Sequence, residues 1–187
     1  MNIFTINGLP GSGKDQFVKF CQNVIGEAKC LNISTVDYVK EIAKDLGWDG
    51  QKRPEDRKFL SDLKRILKEW KDIPYQKTMQ DVMVWMSYTS ELLKVPQDYL
   101  WVFIHTREPE EIQRFKDEYG ADAILIRRPA VENNDQSNDS DANVMNYKYD
   151  CTVDNSGDLN DLYDIARNFV RTYELLNGNN PSIQSTK

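Results

Sequence analysis

Five short runs, apolar or nearly so, punctuate this chain: residues 2–6, 31–34, 100–104, 123–126 and 149–153. The apolar ones read as strands covered on both faces. Between the runs, apolar residues recur every three or four positions, the period of an amphipathic helix. Phe17, Phe20, Cys21, Val24, Ile25 and Ala28 make the first such stripe. Val36, Val39, Ile42, Ala43 and Leu46 make a second, with Ser34 or Thr35 as its cap and Gly47 as its stop. Phe59, Leu60, Leu63, Ile66, Leu67 and Trp70 form a third. A fourth, over about 77–93, carries Met79, Val82, Met83, Met86 and Leu93, and Pro74 is expected to separate the two. Their Met and Trp side chains read as core rather than as a base-stacking platform. Ile112, Phe115 and Tyr119 follow Pro109, Glu110 and Glu111, a helix start with Pro and acids in the first turn, and Gly120 caps that helix. Leu159, Leu162, Ala166, Phe169, Val170 and Tyr173 mark the last helix.

Strands alternating with amphipathic helices predict an α/β fold, a five-stranded parallel sheet between two helical layers. The pattern fits one domain over 1–176, with a helical insertion at about 48–95, a loop at about 127–146 and a polar tail at 177–187. Residues 132–143 are almost wholly polar and predict a mobile loop, either a lid or a plain disordered segment. Sheets of this kind take ligands beyond the carboxyl ends of their strands.

Just beyond the first run lies Gly8-Leu9-Pro10-Gly11-Ser12-Gly13-Lys14-Asp15. The spacing G-x-x-x-x-G-K between a strand and a helix is that of a phosphate-binding P-loop, and it makes the expected fold that of P-loop nucleotide hydrolases and kinases. Glycines let backbone N–H groups surround phosphate oxygens, the helix start adds unsatisfied donors, and Lys14 adds charge. Pattern and chemistry make Gly8, Gly11, Ser12, Gly13, Lys14 and Asp15 candidates for holding a nucleotide. The position after the lysine ordinarily carries a hydroxyl for Mg²⁺. Asp15 stands there, and a carboxylate also binds Mg²⁺, directly or through water. A glycine turn that merely joins strand to helix is the competing reading.

The chain of 187 residues carries a formal net charge of −6, which argues against a partner with a nucleic-acid backbone. It leaves room for a small phosphorylated substrate, where a few local cations decide. Three scattered cysteines with no C-x-x-C pair suit a reduced, cytoplasmic setting. No apolar stretch approaches a membrane span, and the chain enters its first strand too early for a signal peptide. One histidine, His105, rules out a site built from several.

The strand ends then supply a rim: the loop after the first, Asp37 after the second, Thr106 and Arg107 after the third, Arg127 and Arg128 after the fourth, Asn155 after the fifth. Asp37 reads either as a substrate contact or as favourable charge at a helix N-terminus. Arg53 and Arg57, four apart, are either a clamp for one phosphate or part of a solvated face. A phosphate cradle with converging arginines suits phosphoryl transfer, in which Lys14, Arg107, Arg127 and Arg128 would carry the charge.

The Gly-Ser-Gly-Lys-Asp form of the loop resembles that of the phage-type deoxynucleoside monophosphate kinases, and phosphomevalonate kinases share it more distantly. Arg107-Glu108-Pro109 with Glu111, Arg127-Arg128-Pro129 before a polar loop, and Asp150 to Gly157 look similar too. The resemblance implies ATP as donor, Mg²⁺, and a deoxynucleoside monophosphate as acceptor. Carried over by position, Gly8 to Asp15 would hold the donor phosphates and Asp15 the metal. Arg127 and Arg128 would belong to a lid, Asn155 would lie near the donor base, and Asp37 to Arg57 would help form the acceptor site. Kinases of this class often end the third strand with an acid to position the metal, where His105 stands here, so that Asp15 or Glu108 would substitute. Two alternatives remain beside this one: a P-loop kinase for another small phosphorylated acceptor, and a nucleotide-binding module without catalysis. A homodimer is compatible with each.

Overall fold

In the computed structural model, which describes residues 2–132 and 144–176, the strands are β1 (Asn2–Asn7), β2 (Cys30–Ser34), β3 (Trp101–His105), β4 (Asp122–Arg127) and β5 (Cys151–Asp154). All pair in parallel, in the order β2-β3-β1-β4-β5. Every residue of β1 is buried, as a central strand covered on both faces requires. Residues 133–143 and 177–187, and with them most of the expected loop and the whole tail, lie outside the described residues.

The alternation of side chains along each strand sorts the core into two. Phe4 and Ile6 of β1, Trp101 and Phe103 of β3, and Ile124 and Ile126 of β4 face one layer. It is formed by α1 (Lys14–Ile25) and α6 (Leu159–Leu176), through Phe17, Val18, Cys21, Leu162, Phe169 and Val170. Phe4 is the hub of an aromatic stack, with ring centroids 5.2 Å from Phe103, 5.3 Å from Trp101 and 4.9 Å from Tyr173. The intervening residues Ile3, Val102 and Ile104 face α4 (Ile73–Leu93) and α5 (Pro109–Tyr119), through Tyr75, Met79, Val82, Met86 and Phe115.

The segment between β2 and β3 departs from expectation. α2 (Asp37–Asp45) has Val36 at its cap position, with no side-chain cap bond. α3 (Pro54–Lys71) begins earlier than the apolar stripe suggests, with Pro54 at its start. Pro74 does not separate α3 from α4. It sits in the first turn of α4, where a missing N–H costs the helix nothing. Asp72, in a left-handed conformation with φ 51, makes the break instead. The expected core stripes also hold only in part. Met79, Val82 and Met86 are buried, whereas Met83 is exposed. α3 buries no side chain completely, and Phe59, Ile66 and Trp70 stand exposed, so Trp70 is not core.

Among the described residues no helix is long and apolar enough to cross a membrane. The three cysteines are unpaired thiols. Burial pushes the Cys30 thiol up to about 12 and that of Cys21 higher still, so neither is a nucleophile.

Candidate functional site

Residues 8–13 turn the chain from the carboxyl end of β1 into α1 (Lys14–Ile25). Two glycines are required by their surroundings. A Cβ on Gly8, at φ 149, would lie 2.4 Å from the Ile126 carbonyl oxygen. One on Gly13, at φ 95, would lie 2.4 Å from Nδ2 of Asn155. At these two positions the loop therefore runs against β4 and the end of β5 with no space for a side chain.

Its carbonyls are tied down one after another. Lys14 folds back so that Nζ donates to the carbonyls of Gly8 (2.6 Å) and Leu9 (2.9 Å). Arg128 Nη1 donates to the Gly11 carbonyl at 3.4 Å. Asn155 Nδ2 donates to the Ser12 carbonyl at 2.8 Å. The Ser12 N–H turns inward to Leu9 O, 3.1 Å, and that of Gly8 to Asn7 Oδ1, 2.8 Å. The N–H groups of Gly11 and Gly13 find no protein acceptor among the described residues. Occupied carbonyls beside unclaimed N–H groups at a helix start favour an anion.

His105 closes β3 between Ile6 and Ser34, its register partners in β1 and β2. Its side chain is 15% exposed and lies with Nε2 at 3.7 Å from Asp15 Oδ1, whereas Asp15 is 93% exposed. Nε2 is enclosed without a hydrogen-bond partner among the described residues. Burial pulls the His105 pKa down to about 4, with Lys14 and Lys40 acting the same way against Asp15 and Asp37. The imidazole is therefore neutral near pH 7.

Beyond His105 a buried polar knot ties α5 (Pro109–Tyr119) to the helical insertion. The Thr106 hydroxyl donates to Glu111 Oε2 at 2.6 Å, and Glu111 is only 5% exposed. Lys64 of α3 (Pro54–Lys71) reaches Glu111 at 3.1 Å and Glu108 at 2.8 Å. Lys68 reaches Glu108 at 2.6 Å. Burial raises the Glu108 carboxyl, but the two lysines outweigh it and hold the group below its usual range. The sequence marks Glu111 only as a first-turn acid and as part of the resembling Arg107–Glu111 stretch, and gives Lys64 and Lys68 no role. Helical phase holds a signal for Glu111, which precedes Phe115 by four and so shares its inward face. Lys64 and Lys68 carry no such mark.

The other foreseen residues divide. Asn155 lies against the loop, and its N–H continues the ladder to Arg127 O at 2.7 Å. Arg128 touches the loop. Arg127 is exposed and makes a two-pronged ion pair with Glu132, at 2.8 and 2.7 Å. Arg107 is exposed at the end of β3, and its carbonyl accepts from Asn7 Nδ2 at 3.4 Å. Asp37 bridges the Ser34 N–H and Lys40 Nζ, both at 2.8 Å, the geometry of a helix-start charge. Arg53 stands at the cap position of α3, paired with Asp49 and Asp56. Arg57 donates to the Lys52 carbonyl at 3.2 Å, so the two do not form one clamp. A groove of about 310 Å³ between α4 (Ile73–Leu93) and α5, lined by Tyr75, Met79, Arg114 and Tyr119 among others, contains none of these rim residues.

Among the described residues no three His, Cys, Asp or Glu side chains come together as a metal centre. A cation here would need oxygens from its ligand as well, the usual manner of Mg²⁺ on nucleotide phosphates. The exposed Asp15 carboxylate and the unpartnered Nε2 of His105 are the donors that fit one. No family model matches the chain, and no curated protein matches it in sequence.

Proposed function

We propose that the chain transfers the γ-phosphoryl group of ATP to a nucleoside monophosphate, a deoxynucleoside monophosphate being the acceptor that the resemblance of the loop favours. One observation carries the reading: the loop over residues 8–13 holds its carbonyls on Lys14, Arg128 and Asn155 and leaves the Gly11 and Gly13 N–H groups for an anion.

In this reading those N–H groups bind the donor phosphates at the start of α1 (Lys14–Ile25). Lys14 exchanges the Gly8 and Leu9 carbonyls for phosphate oxygens. Arg128, already against the loop, and Arg107 and Arg127 on the same rim balance the charge that spreads over the transferred group. An acceptor phosphate oxygen forms the new bond to the γ-phosphorus as the bond to the β,γ-bridging oxygen breaks, and the electron pair leaves on ADP. Mg²⁺, when bound, would supply further neutralisation, and Asp15 would be the carboxylate that holds it. The neutral His105 adds no charge beside that carboxylate.

The test is ADP release from ATP and Mg²⁺ with dAMP, dGMP, dCMP, dTMP and dUMP offered one at a time. At least one is expected to drive release, and Lys14→Ala to lower it about 10²–10³-fold while the unfolding midpoint stays put. ATP binding without release by any acceptor would overturn the reading and leave a binding module or a kinase for a different phosphorylated acceptor.

A further inference from the structure

Resting on the nucleotide-binding reading of the loop, we infer that Asp15 and His105 together form a mixed oxygen–nitrogen seat for a divalent cation carried in on nucleotide phosphates, and that this seat favours Mn²⁺ or Co²⁺ over Mg²⁺. Three features converge on it. The first is the Nε2 of His105, enclosed and, among the described residues, without a hydrogen-bond partner. A ring nitrogen held there by packing alone forfeits a hydrogen bond, and such orphans are rare in folded proteins. The second is separation. Two donors each about 2.1 Å from one ion stand at most about 4.2 Å apart, and Nε2 and Asp15 Oδ1 are 3.7 Å apart. That is too long for a hydrogen bond between them and short enough to share an ion. Asp15 is 93% exposed, so its carboxylate reorients at little cost. The third is place. Asp15 directly follows Lys14 at the start of α1 (Lys14–Ile25), and His105 lies beside Ile6 at the end of β1, so the pair flanks the loop where phosphates would enter.

Two protein donors do not hold a labile dication by themselves, and among the described residues no third His, Cys, Asp or Glu joins them. The seat is therefore completed by phosphate oxygens, and the protein is expected to bind metal–nucleotide rather than metal. An imidazole nitrogen gives more to a first-row transition ion than to Mg²⁺, which prefers oxygen and water. Four charged groups act on the ring: Asp15 and Asp37 favour its protonation, Lys14 and Lys40 oppose it.

Because His105 is the only histidine, labelling is unambiguous. The untagged chain, grown with ordinary and with ¹⁵N-histidine, is mixed with Mn²⁺ and unlabelled ADP and read by pulsed EPR. The expected result is a nitrogen coupling to bound Mn²⁺ that changes from the ¹⁴N to the ¹⁵N pattern on labelling, which purine nitrogens cannot do. Bound Mn²⁺-ADP with identical spectra from the two samples would overturn the seat and leave the nucleotide reading standing. No bound Mn²⁺-ADP or Mg²⁺-ADP at all would overturn both. In His105→Asn the preference for Co²⁺-ADP over Mg²⁺-ADP is expected to fall roughly tenfold, the lower end of what loss of a metal-site partner costs. An unchanged preference with a lowered unfolding midpoint would assign the ring to packing. Should that variant not fold, the labelling of the native chain decides alone.

Discussion

The two sides of the rim are built by different physics. At residues 8–13 close packing at Gly8 and Gly13 and hydrogen bonds from Lys14, Arg128 and Asn155 fix the backbone. Gly8 and Gly13 touch Ile126 and Asn155 too closely for any side chain. Behind them, Phe17, Phe103 and Cys21 are wholly buried between the sheet and its helices. On the other side α3 (Pro54–Lys71), eighteen residues long, buries no side chain completely and is fastened by Lys64 and Lys68 to Glu108 and Glu111. Leu60, Leu63 and Leu67 are only half-buried. A close-packed core admits one arrangement, because any shift opens a void. Ion pairs with long side chains tolerate a shift of the helix that carries them. In the proposed reaction that contrast suits a fixed donor cradle facing an acceptor wall able to adjust.

The largest expected effect tests the rigid side. Phe103→Ala removes a wholly buried ring stacked 5.2 Å from Phe4 and is expected to cost about 3–5 kcal/mol in denaturant unfolding. A loss below about 1 kcal/mol would mean that this layer is no better packed than α3.

Next comes the fastening itself. Glu111→Gln leaves Lys64, 13% exposed, with half its counter-charge and an amide in place of the carboxylate that accepts from Thr106. The expected cost is about 3 kcal/mol, since a buried pair loses more when one partner goes than it contributed intact. Amide hydrogen exchange should quicken across α3 more than across α1 (Lys14–Ile25). Equal quickening of both would dissolve the distinction between the two sides.

A smaller effect is read by pH. The His105 pKa is about 4 in the folded chain against an ordinary 6.5. The unfolded chain binds the proton more readily between those values, so stability rises with pH through this window. The contribution is fully present above 6.5 and is lost as pH falls toward 4. Going from about pH 7.5 to about pH 5, the native chain should lose about 2 kcal/mol more than His105→Asn does. Parallel pH profiles would show that burial of the ring carries no such linkage.

The rigid side was the legible one, because its signals are contiguous. Strand, glycine loop, lysine and amphipathic helix follow one another within residues 2–28, and each rule acts over a few residues. The adjustable side depends on contacts far apart in sequence. Glu110 and Glu111 are adjacent and chemically identical, yet Glu110 is 88% exposed and Glu111 5%. Both looked like charges for a helix start. What separates them is helical phase relative to Phe115, and the approach of Lys64 from α3. Pro74 misled for a local reason, since a proline that breaks a helix interior is accommodated in a first turn. Met83 misled because Met79, Val82 and Met86 already fill the inward face. Arg53 and Arg57 share a spacing of four but not a helix, because Arg53 is the residue before it. The meeting of Asp15 with His105 joins two distant stretches through the register of β1 (Asn2–Asn7) and β3 (Trp101–His105), and no local pattern announces it.

The smallest expected effect is the most pointed for the comparison. Ile66 and Trp70 are apolar, four apart on α3, and 53% and 66% exposed. By periodicity alone they belong to a core-facing stripe, and a core Trp or Ile replaced by Ser would cost several kcal/mol. In this structure Ile66→Ser and Trp70→Ser should each move stability by no more than about 0.5 kcal/mol, because neither side chain leaves much contact behind. Their ring and methyl groups face water, so the double variant should also be the more soluble. Urea unfolding of the two single variants beside Phe103→Ala gives the comparison one scale. If Trp70→Ser cost as much as Phe103→Ala, α3 would be packed against something that exposure of the ring does not reveal, and its fastening would no longer rest on Lys64 and Lys68.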